Sequence, residues 1–252
     1  KAVTDKMGIP AVPMRRAVIT QDLDDRKACF YATGCGRGCS IGAAFQTTTS
    51  LLPWAQKTGN MKLVTDAMVK EVHVDENGQA SGVTFVNRLT NEDIRVDADR
   101  VILAASACET ARLMLNSKSA LHANGLANSS GQVGRNLMDS LGADIGGFIP
   151  ALKGRPKYNE DGYSSNHLYI PWWDNAGQKD GTLDFTRGYH FEVGGGFSSP
   201  GMGVASRVDG YGKRAKDEVR DLYGTGINLA LRGERVQSDN CYCEIDEDVK
   251  DK

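Results

Sequence analysis

Three cysteines lie within eleven residues near the start of the chain, at Cys29, Cys35 and Cys39. Glycines alternate with them, and a residue without a side chain lets the backbone turn tightly enough for three thiols to converge on one point. Thiolates arranged in this way ligate iron–sulfur clusters. Zinc remains an alternative, although structural zinc usually takes four ligands at shorter spacing. Inert thiols, or a disulfide with another cysteine of the chain, are the remaining interpretations.

A second candidate site is a junction in the middle of the chain. Arg100–Ala105 is a short apolar run, which is typical of a strand buried on both faces. Ser106 and Glu109 then match a capping box, which predicts a helix from Ala107. A helix N-terminus directly after a strand points its backbone N–H groups at any ligand bound there. A plain junction without a ligand is the alternative.

Other patterns predict the elements around these sites. Ahead of the junction, alternating apolar residues with turns at 76–78 and 90–91 predict an antiparallel meander, its strands being Lys62–Thr65, Met68–Asp75, Ala80–Asn87 and Glu92–Ala98. The expected fold class is mixed α/β.

Beyond about Pro150 the composition becomes rich in glycine and aromatic residues. Here the pattern predicts a mixed sheet with one charged helix, formed by strands Asn166–Trp173, Asp184–Val193 and Gly203–Val208 and helix Lys213–Tyr223. Alternation places His190 and Glu192 on one face of their strand, which makes His190 a weak candidate for chemistry. We therefore expect two domains, residues 1–149 and 150–252.

Three further motifs predict packing rather than chemistry. The run Gly210–Ala215 matches the dinucleotide fingerprint G-x-G-x-x-A, but no apolar strand precedes it and its helix is highly charged. Trp172–Trp173 and Cys241–Cys243 are interpreted as packing residues.

Composition excludes several classes of protein. The 30 basic and 32 acidic residues leave a net charge of −2, which argues against a nucleic-acid binder. The longest apolar stretch, Val101–Cys108, is far shorter than the roughly 20 residues of a membrane span. No serine-hydrolase elbow, zincin or P-loop motif occurs.

Taken in order, many segments resemble the glucose-methanol-choline (GMC) family of FAD-dependent oxidoreductases. They are Gly38–Ala43, Leu52–Ala55, Gly59–Asn60, Lys62–Val69, Gly82–Val83, Val101–Ser117 and Val133–Asp139, with Lys6–Pro10 and Glu244–Asp251 at the two ends. The resemblance implies a part of a Rossmann-like FAD-binding domain followed by a substrate-binding domain.

The same resemblance implies which residues bind FAD. Val69 would offer its backbone to the adenine, the junction residues would line the adenosine, and Asn136 would lie at the return toward the flavin. The junction residues are Ala104, Ala105, Ser106 and Thr110. Ser106 stands where the family usually has Gly, and Ser140 where a His often follows the Asp.

The cysteine spacing resembles the branch of glucoside 3-dehydrogenase-like sugar dehydrogenases. For this chain the branch implies hydride transfer from a sugar or polyol to FAD, a 3Fe-4S cluster at the three cysteines, a cytochrome or quinone acceptor, a possible small subunit and a periplasmic location. We expect an internal segment, with the G-x-G-x-x-G turn before Lys1 and the catalytic His after Lys252, so no catalytic residue is named. The alternatives are an oxygen-using oxidase and a non-catalytic binding protein.

Overall fold

The computed structural model describes residues 2–30, 38–155, 167–172, 177, 179–185, 187–196 and 201–249. The chain divides into two compact units, each built from two stretches of sequence. The first unit comprises Lys1–Met61 and Ser140–Arg235, and the second comprises Lys62–Asp139 and Val236–Lys252. The expected domains 1–149 and 150–252 stay a prediction.

The secondary structure of the described residues is mixed α/β, as the sequence predicts. The helices are α1 (Ala2–Lys6), α2 (Thr47–Ser50), α3 (Leu52–Lys57), α4 (Ala107–Asn116), α5 (Gly201–Ala205) and α6 (Gly212–Leu222), with a 3₁₀ turn at Pro150–Leu152. The strands are β1 (Val12–Pro13), β2 (Ala67–Val74), β3 (Ala80–Asn87), β4 (Asp93–Asp97), β5 (Leu141–Phe148), β6 (Leu168–Ile170), β7 (Tyr189–Gly196) and β8 (Gly226–Gly233).

The second unit contains the predicted meander, in which β2, β3 and β4 form an antiparallel sheet. The turn between β2 and β3 forms because Gly78 adopts a φ of 77° and donates its N–H to the Asp75 carbonyl at 3.0 Å. Val72 and Phe85 are buried on this sheet. Three of the four strands predicted for the meander are therefore confirmed.

Helix α4 packs against β2 and is fastened to it by polar contacts at its C-terminal end. The buried Ser117 hydroxyl accepts the Val72 N–H at 2.8 Å and donates to the Leu113 carbonyl at 2.6 Å. Asn116 Nδ2 donates to the Lys70 carbonyl at 2.7 Å. These bonds fix the C-terminal end of the helix against β2. The predicted start at Ala107 is confirmed.

Two strands predicted in the second unit are wrong. Lys62–Thr65 and Arg100–Ala105 adopt no regular secondary structure. A buried strand needs a hydrogen-bonding neighbour on each side, and no described strand pairs with either segment. The side chain of Ile102 is consequently 89% exposed, so the apolar run does not lie in a sheet core.

The first unit contains an antiparallel sheet of five strands in the order β1, β6, β7, β8 and β5. The central pairing aligns Glu192 with Ala230 and Gly194 with Asn228, and β5 pairs with β8 from Leu141 to Phe148. Helices α5 and α6 contact each other beside this sheet.

The sequence predictions for this sheet are confirmed in part. The predicted helix Lys213–Tyr223 is present as α6, and the predicted strands Asn166–Trp173 and Asp184–Val193 correspond to β6 and β7, shifted or shortened. The predicted strand Gly203–Val208 is wrong, because α5 and a following turn occupy this region. Val204 of α5 is buried.

Two observations concern membrane spans and the dinucleotide fingerprint. Within the ranges given above, no helix is both long and apolar enough to cross a membrane. The G-x-G-x-x-A match at Gly210–Ala215 follows helix α5 rather than the strand that precedes a dinucleotide fingerprint.

Candidate functional site

Cys39 lies in a cradle of backbone N–H groups in the first unit. Burial alone would raise the pKa of its thiol, but hydrogen bonds from the four N–H groups of residues 41–44 together outweigh that effect. The pKa of Cys39 is therefore lowered, which favours the thiolate. A thiolate is the form of cysteine that ligates metals and attacks electrophiles.

The cradle is held in place by Arg26, whose side chain is buried. Arg26 Nε donates to the Gly42 carbonyl at 2.7 Å, and a terminal guanidinium nitrogen donates to the Ala43 carbonyl at 3.3 Å. Gly42 adopts a φ of 66°, and a Cβ there would lie 3.2 Å from Arg26 Cγ. The close approach of the guanidinium thus depends on glycine at this position.

Cys29 is fixed by the turn that precedes it. The Asp22 carboxylate accepts hydrogen bonds from Lys27 Nζ and the Ala28 N–H, both at 2.8 Å, and these bonds lower the pKa of Asp22, with Lys27 the larger cause. The Cys29 N–H donates to the Ile19 carbonyl at 3.0 Å. The segment carrying Cys29 therefore has defined local geometry.

The fit of an iron–sulfur cluster can be tested at one of its three predicted ligands. The thiolate cradle at Cys39 suits an anionic sulfur that bonds iron. Cys35 lies outside the described residues. Among the residues that are described, no three His, Cys, Asp or Glu side chains share a potential metal position.

The junction before α4 has a backbone conformation that its sequence does not reveal. Ser106 adopts φ 75° and ψ 172°, and its side chain makes no capping hydrogen bond. The predicted capping box of Ser106 and Glu109 is therefore wrong: the φ turns the serine away, and Glu109 instead accepts from Arg112 Nε at 2.8 Å. The capping role requires an extended N-cap residue.

An adenosine or phosphate group fits this exposed helix N-terminus. The first N–H groups of a helix have no partner within it, and at α4 the N-cap side chain does not bond them. Ala104, Ala105 and Ser106 are exposed beside them, and Thr110 is half-buried one turn further along. The role of these residues on the adenosine side of FAD stays a prediction.

Val69 and Asn136 lie in the same unit as the junction. Val69 is on β2, opposite Phe85, at a register shift that ends at Glu71. Asn136 adopts a left-handed φ of 56°, and its side chain donates to Gln132 Oε1 at 3.4 Å. The structure thus places Val69 on the strand that supports α4 and Asn136 in a separate loop.

One face of β7 carries a polar cavity of about 380 Å³. The Nε2 atoms of His167 and His190 lie 3.7 Å and 3.4 Å from the same Glu192 oxygen, and His167 and Glu192 line the cavity with Asn228. Glycines at 194–196 form part of its wall, because residues without side chains leave room above the sheet. The weak candidate His190 therefore belongs to a polar cluster.

The opposite face of β7 is aromatic. Tyr189 packs edge-on against Trp172 and Phe191, with ring centroids 4.9 Å and 5.6 Å apart, and Phe185 lies beside Trp172. The packing role predicted for Trp172 is confirmed, whereas Trp173 lies outside the described residues.

Sequence reasoning missed two features of these sites. The cradle at Cys39 consists of backbone N–H groups, which leave no signature in side-chain types. His167 immediately precedes β6 and Glu192 lies on β7, so only the pairing of β6 with β7 brings them together.

Comparison with known proteins gives a consistent family assignment. The profile described as GMC oxidoreductase matches residues 5–141. The chain is 26% identical over 95% of its length to the 2-methyl-1,2-propanediol dehydrogenase of Mycolicibacterium austroafricanum, covering 42% of that protein. It is 23% identical over 99% of its length to the fructose dehydrogenase large subunit of Gluconobacter japonicus, covering 44%.

A third relative, the paromamine 6'-oxidase of Streptomyces fradiae, is 27% identical over 58% of the chain and 27% of that protein. The chain thus spans less than half the length of these curated relatives. The family match includes the cysteine cradle, the meander and the junction before α4.

Proposed function

Because this chain belongs to the GMC oxidoreductase family, we propose that its protein is an FAD-dependent dehydrogenase that oxidises a CH–OH group of a sugar, glucoside or polyol. The observation that carries the proposal is the exposed, uncapped N-terminus of α4, which lies inside the matched region and suits the adenosine side of FAD. Two relatives named as dehydrogenases of a diol and of fructose support the substrate class.

In this function the second unit binds part of the cofactor. The backbone of Val69 contacts the adenine, and the junction from Ala104 to Ser106, with Thr110, lines the adenosine. Asn136 orients the loop that returns toward the flavin. Bound FAD supplies the acceptor for a hydride from the alcohol carbon.

The five-stranded sheet supplies the substrate side. Sugars and polyols present several hydroxyl groups, each of which donates a hydrogen bond, and a carboxylate accepts through two oxygens. Glu192 in its polar cavity, with Asn228 nearby, has this chemistry. We assign Glu192 to the positioning of substrate hydroxyls.

Cys29, Cys35 and Cys39 would hold a 3Fe-4S cluster, which would supply an electron path from bound FAD to a cytochrome or quinone. The cradle at Cys39 supports this assignment, because it stabilises the thiolate that iron binds. The relative named as the large subunit of fructose dehydrogenase supports a complex with a smaller subunit.

Variants of the complete protein test the cluster. Cys35→Ser should abolish cytochrome reduction while anaerobic flavin reduction by substrate persists, and iron content should fall. Cys241→Ser is the matched control, because it removes a thiol from the other unit and should leave both rates unchanged. Unchanged iron content and cytochrome reduction in Cys35→Ser would remove the cluster from the function.

A substrate series tests Glu192. Glu192→Gln keeps the shape of the side chain but weakens its acceptance of hydroxyl groups, so KM for a polyol should rise about tenfold or more with a smaller change in kcat. An unaltered KM for every polyol would show that the cavity does not bind the substrate.

An oxygen-using oxidase is the second candidate, because one relative carries the name of an oxidase. Oxygen consumption with substrate and without a cytochrome distinguishes it. A dehydrogenase reoxidises slowly in air and quickly with the cytochrome, whereas an oxidase shows the reverse.

A further inference from the structure

A second cavity of the first unit lies between two stretches of chain that pair with each other. Its volume is about 350 Å³, and it is lined by residues 14–18 and 44–46. The two stretches meet through an antiparallel bridge between Val18 and Ala44. A cavity of this size accommodates a small organic molecule.

The backbone on either side of Arg15 and Arg16, which both line this cavity, is held by hydrogen bonds. The residue before them, Met14, donates its N–H to the His167 carbonyl at 3.1 Å. The carbonyl of the residue after them accepts the Phe45 N–H at 2.8 Å. Because both ends of this two-residue link are fixed, a ligand bound by the arginines orders little additional backbone.

The charged side chains that line the cavity are both positive. Arg15 is exposed and Arg16 is half-buried, and no Asp or Glu is among the lining residues. Neither guanidinium makes a hydrogen bond or an ion pair within the part of the chain that the structure describes. By contrast, Arg26 of the same unit donates to two carbonyls. Two positive charges without a counterion give the cavity a potential that attracts anions.

Burial makes the lack of a partner costly at Arg16. Its Nη1 atom is buried and has no hydrogen-bond acceptor among the described residues. A guanidinium keeps its charge and has only donors, so a buried N–H without an acceptor costs free energy. A bound oxyanion offsets this cost, because carboxylate and phosphate groups accept from the planar donors of arginine through two oxygens at once.

We propose that Arg15 and Arg16 form a binding site for the carboxylate or phosphate group of a small molecule. Met14 and Phe45 are exposed hydrophobic residues at the same cavity, and they provide apolar contact for the body of an organic anion. The site goes beyond the alcohol oxidation proposed above and does not depend on it, because this cavity shares no lining residue with the cavity at Glu192.

Titration calorimetry of the complete protein tests the site with inorganic phosphate, butyrate and butyramide, the neutral analogue of butyrate. At least one of the two anions should bind, and butyramide should bind more weakly than butyrate. Arg16→Met keeps the aliphatic stem and should raise the Kd of the anion about tenfold or more, whereas Arg95→Met, in the other unit, should leave it unchanged. Tighter binding of phosphate identifies a phosphate site, and tighter binding of butyrate a carboxylate site. Binding of neither anion, or an unchanged Kd in Arg16→Met, would overturn the proposal.

A second variant and a labelling experiment locate the anion at this cavity. Arg15 is exposed, so Arg15→Met is expected to fold, and its weaker binding of the anion keeps the test valid if Arg16→Met does not fold. In the unmodified protein, phosphate or butyrate should slow the reaction of Arg15 with phenylglyoxal several-fold and leave that of Arg95 unchanged, as measured by mass spectrometry. Labelling of Arg15 at the same rate with and without both anions would contradict the proposal.

Discussion

Arg26 Nε donates a 2.7 Å hydrogen bond to the Gly42 carbonyl, and this contact joins the turn before Cys29 to the cradle around Cys39. The guanidinium is buried, so its hydrogen bonds replace water that it would otherwise keep. The segments that carry the predicted ligands Cys29 and Cys39 are thereby held by one side chain.

Loss of the two hydrogen bonds that the Arg26 guanidinium donates should lower the stability of the folded protein. Arg26→Met keeps the aliphatic stem but loses both hydrogen bonds, and we expect the free energy of unfolding to fall by about 2 kcal/mol. Denaturant titration measures the loss. Arg95→Met, at an exposed residue paired with Asp97, is the control and should change stability by less than about 0.5 kcal/mol. Equal losses would show that the contact is not stabilising.

The backbone N–H groups around Cys39 predict how ionisation and alkylation of its thiol depend on pH. The pKa of Cys39 is lower in the folded state than in the unfolded state. The contribution of its thiolate to the free energy of unfolding is therefore complete above the usual thiol pKa of 9.0 and is lost as the pH falls through the folded pKa. In metal-free protein, alkylation of Cys39 should therefore have its pH midpoint below 9.0, measured by mass spectrometry of its peptide. In denaturant the midpoint should return to the ordinary value, and a folded midpoint at or above 9.0 would contradict the cradle.

The backbone conformation of Ser106 predicts that glycine at this position stabilises the protein. A φ of 75° with extended ψ is adopted readily by glycine alone, so Ser106→Gly should raise the free energy of unfolding by about 1 kcal/mol. Ser81→Gly within β3 is the matched control and should lower it by about 0.5–1 kcal/mol. A loss of stability in Ser106→Gly would mean that the junction is not strained.

Two glycines isolate the contact of residues 134–137 with 241–243. Gly134 and Gly131 both adopt positive φ, but only at Gly134 would a Cβ meet backbone, at 2.4 Å from the Cys243 oxygen. Gly131→Ala should cost about 1 kcal/mol, because it adds backbone strain alone. Gly134→Ala should cost clearly more, and calorimetry of both variants measures the difference. Equal costs would contradict the close approach.

The sequence predicts those elements whose signals are local. The meander from Ala67 to Asp97 follows from alternation and an Asn-Gly turn. The start of α4 follows from the Ser-x-x-Glu pattern at Ser106, although the capping contact that this pattern implies is not made. The strand Gly226–Gly233 was missed although Ile227, Leu229 and Leu231 alternate along it. This alternation is a local signal that predicts a strand.

Other features depend on distant parts of the chain and leave no local signal. Strand Leu141–Phe148 is exposed along most of its length and forms through its pairing with β8. The run Arg100–Ala105 has the composition of a buried strand, yet no described strand lies beside it. The cluster of His167 with Glu192 likewise arises from a tertiary contact.

The most direct test of the central claim is the flavin spectrum of the complete protein during anaerobic mixing with sugars and polyols. The proposed function predicts that FAD is bound and that its oxidised absorption bleaches with at least one of these alcohols, then returns when a cytochrome or quinone is added. A protein that binds no flavin, or whose flavin stays oxidised with every sugar and polyol, would contradict the claim.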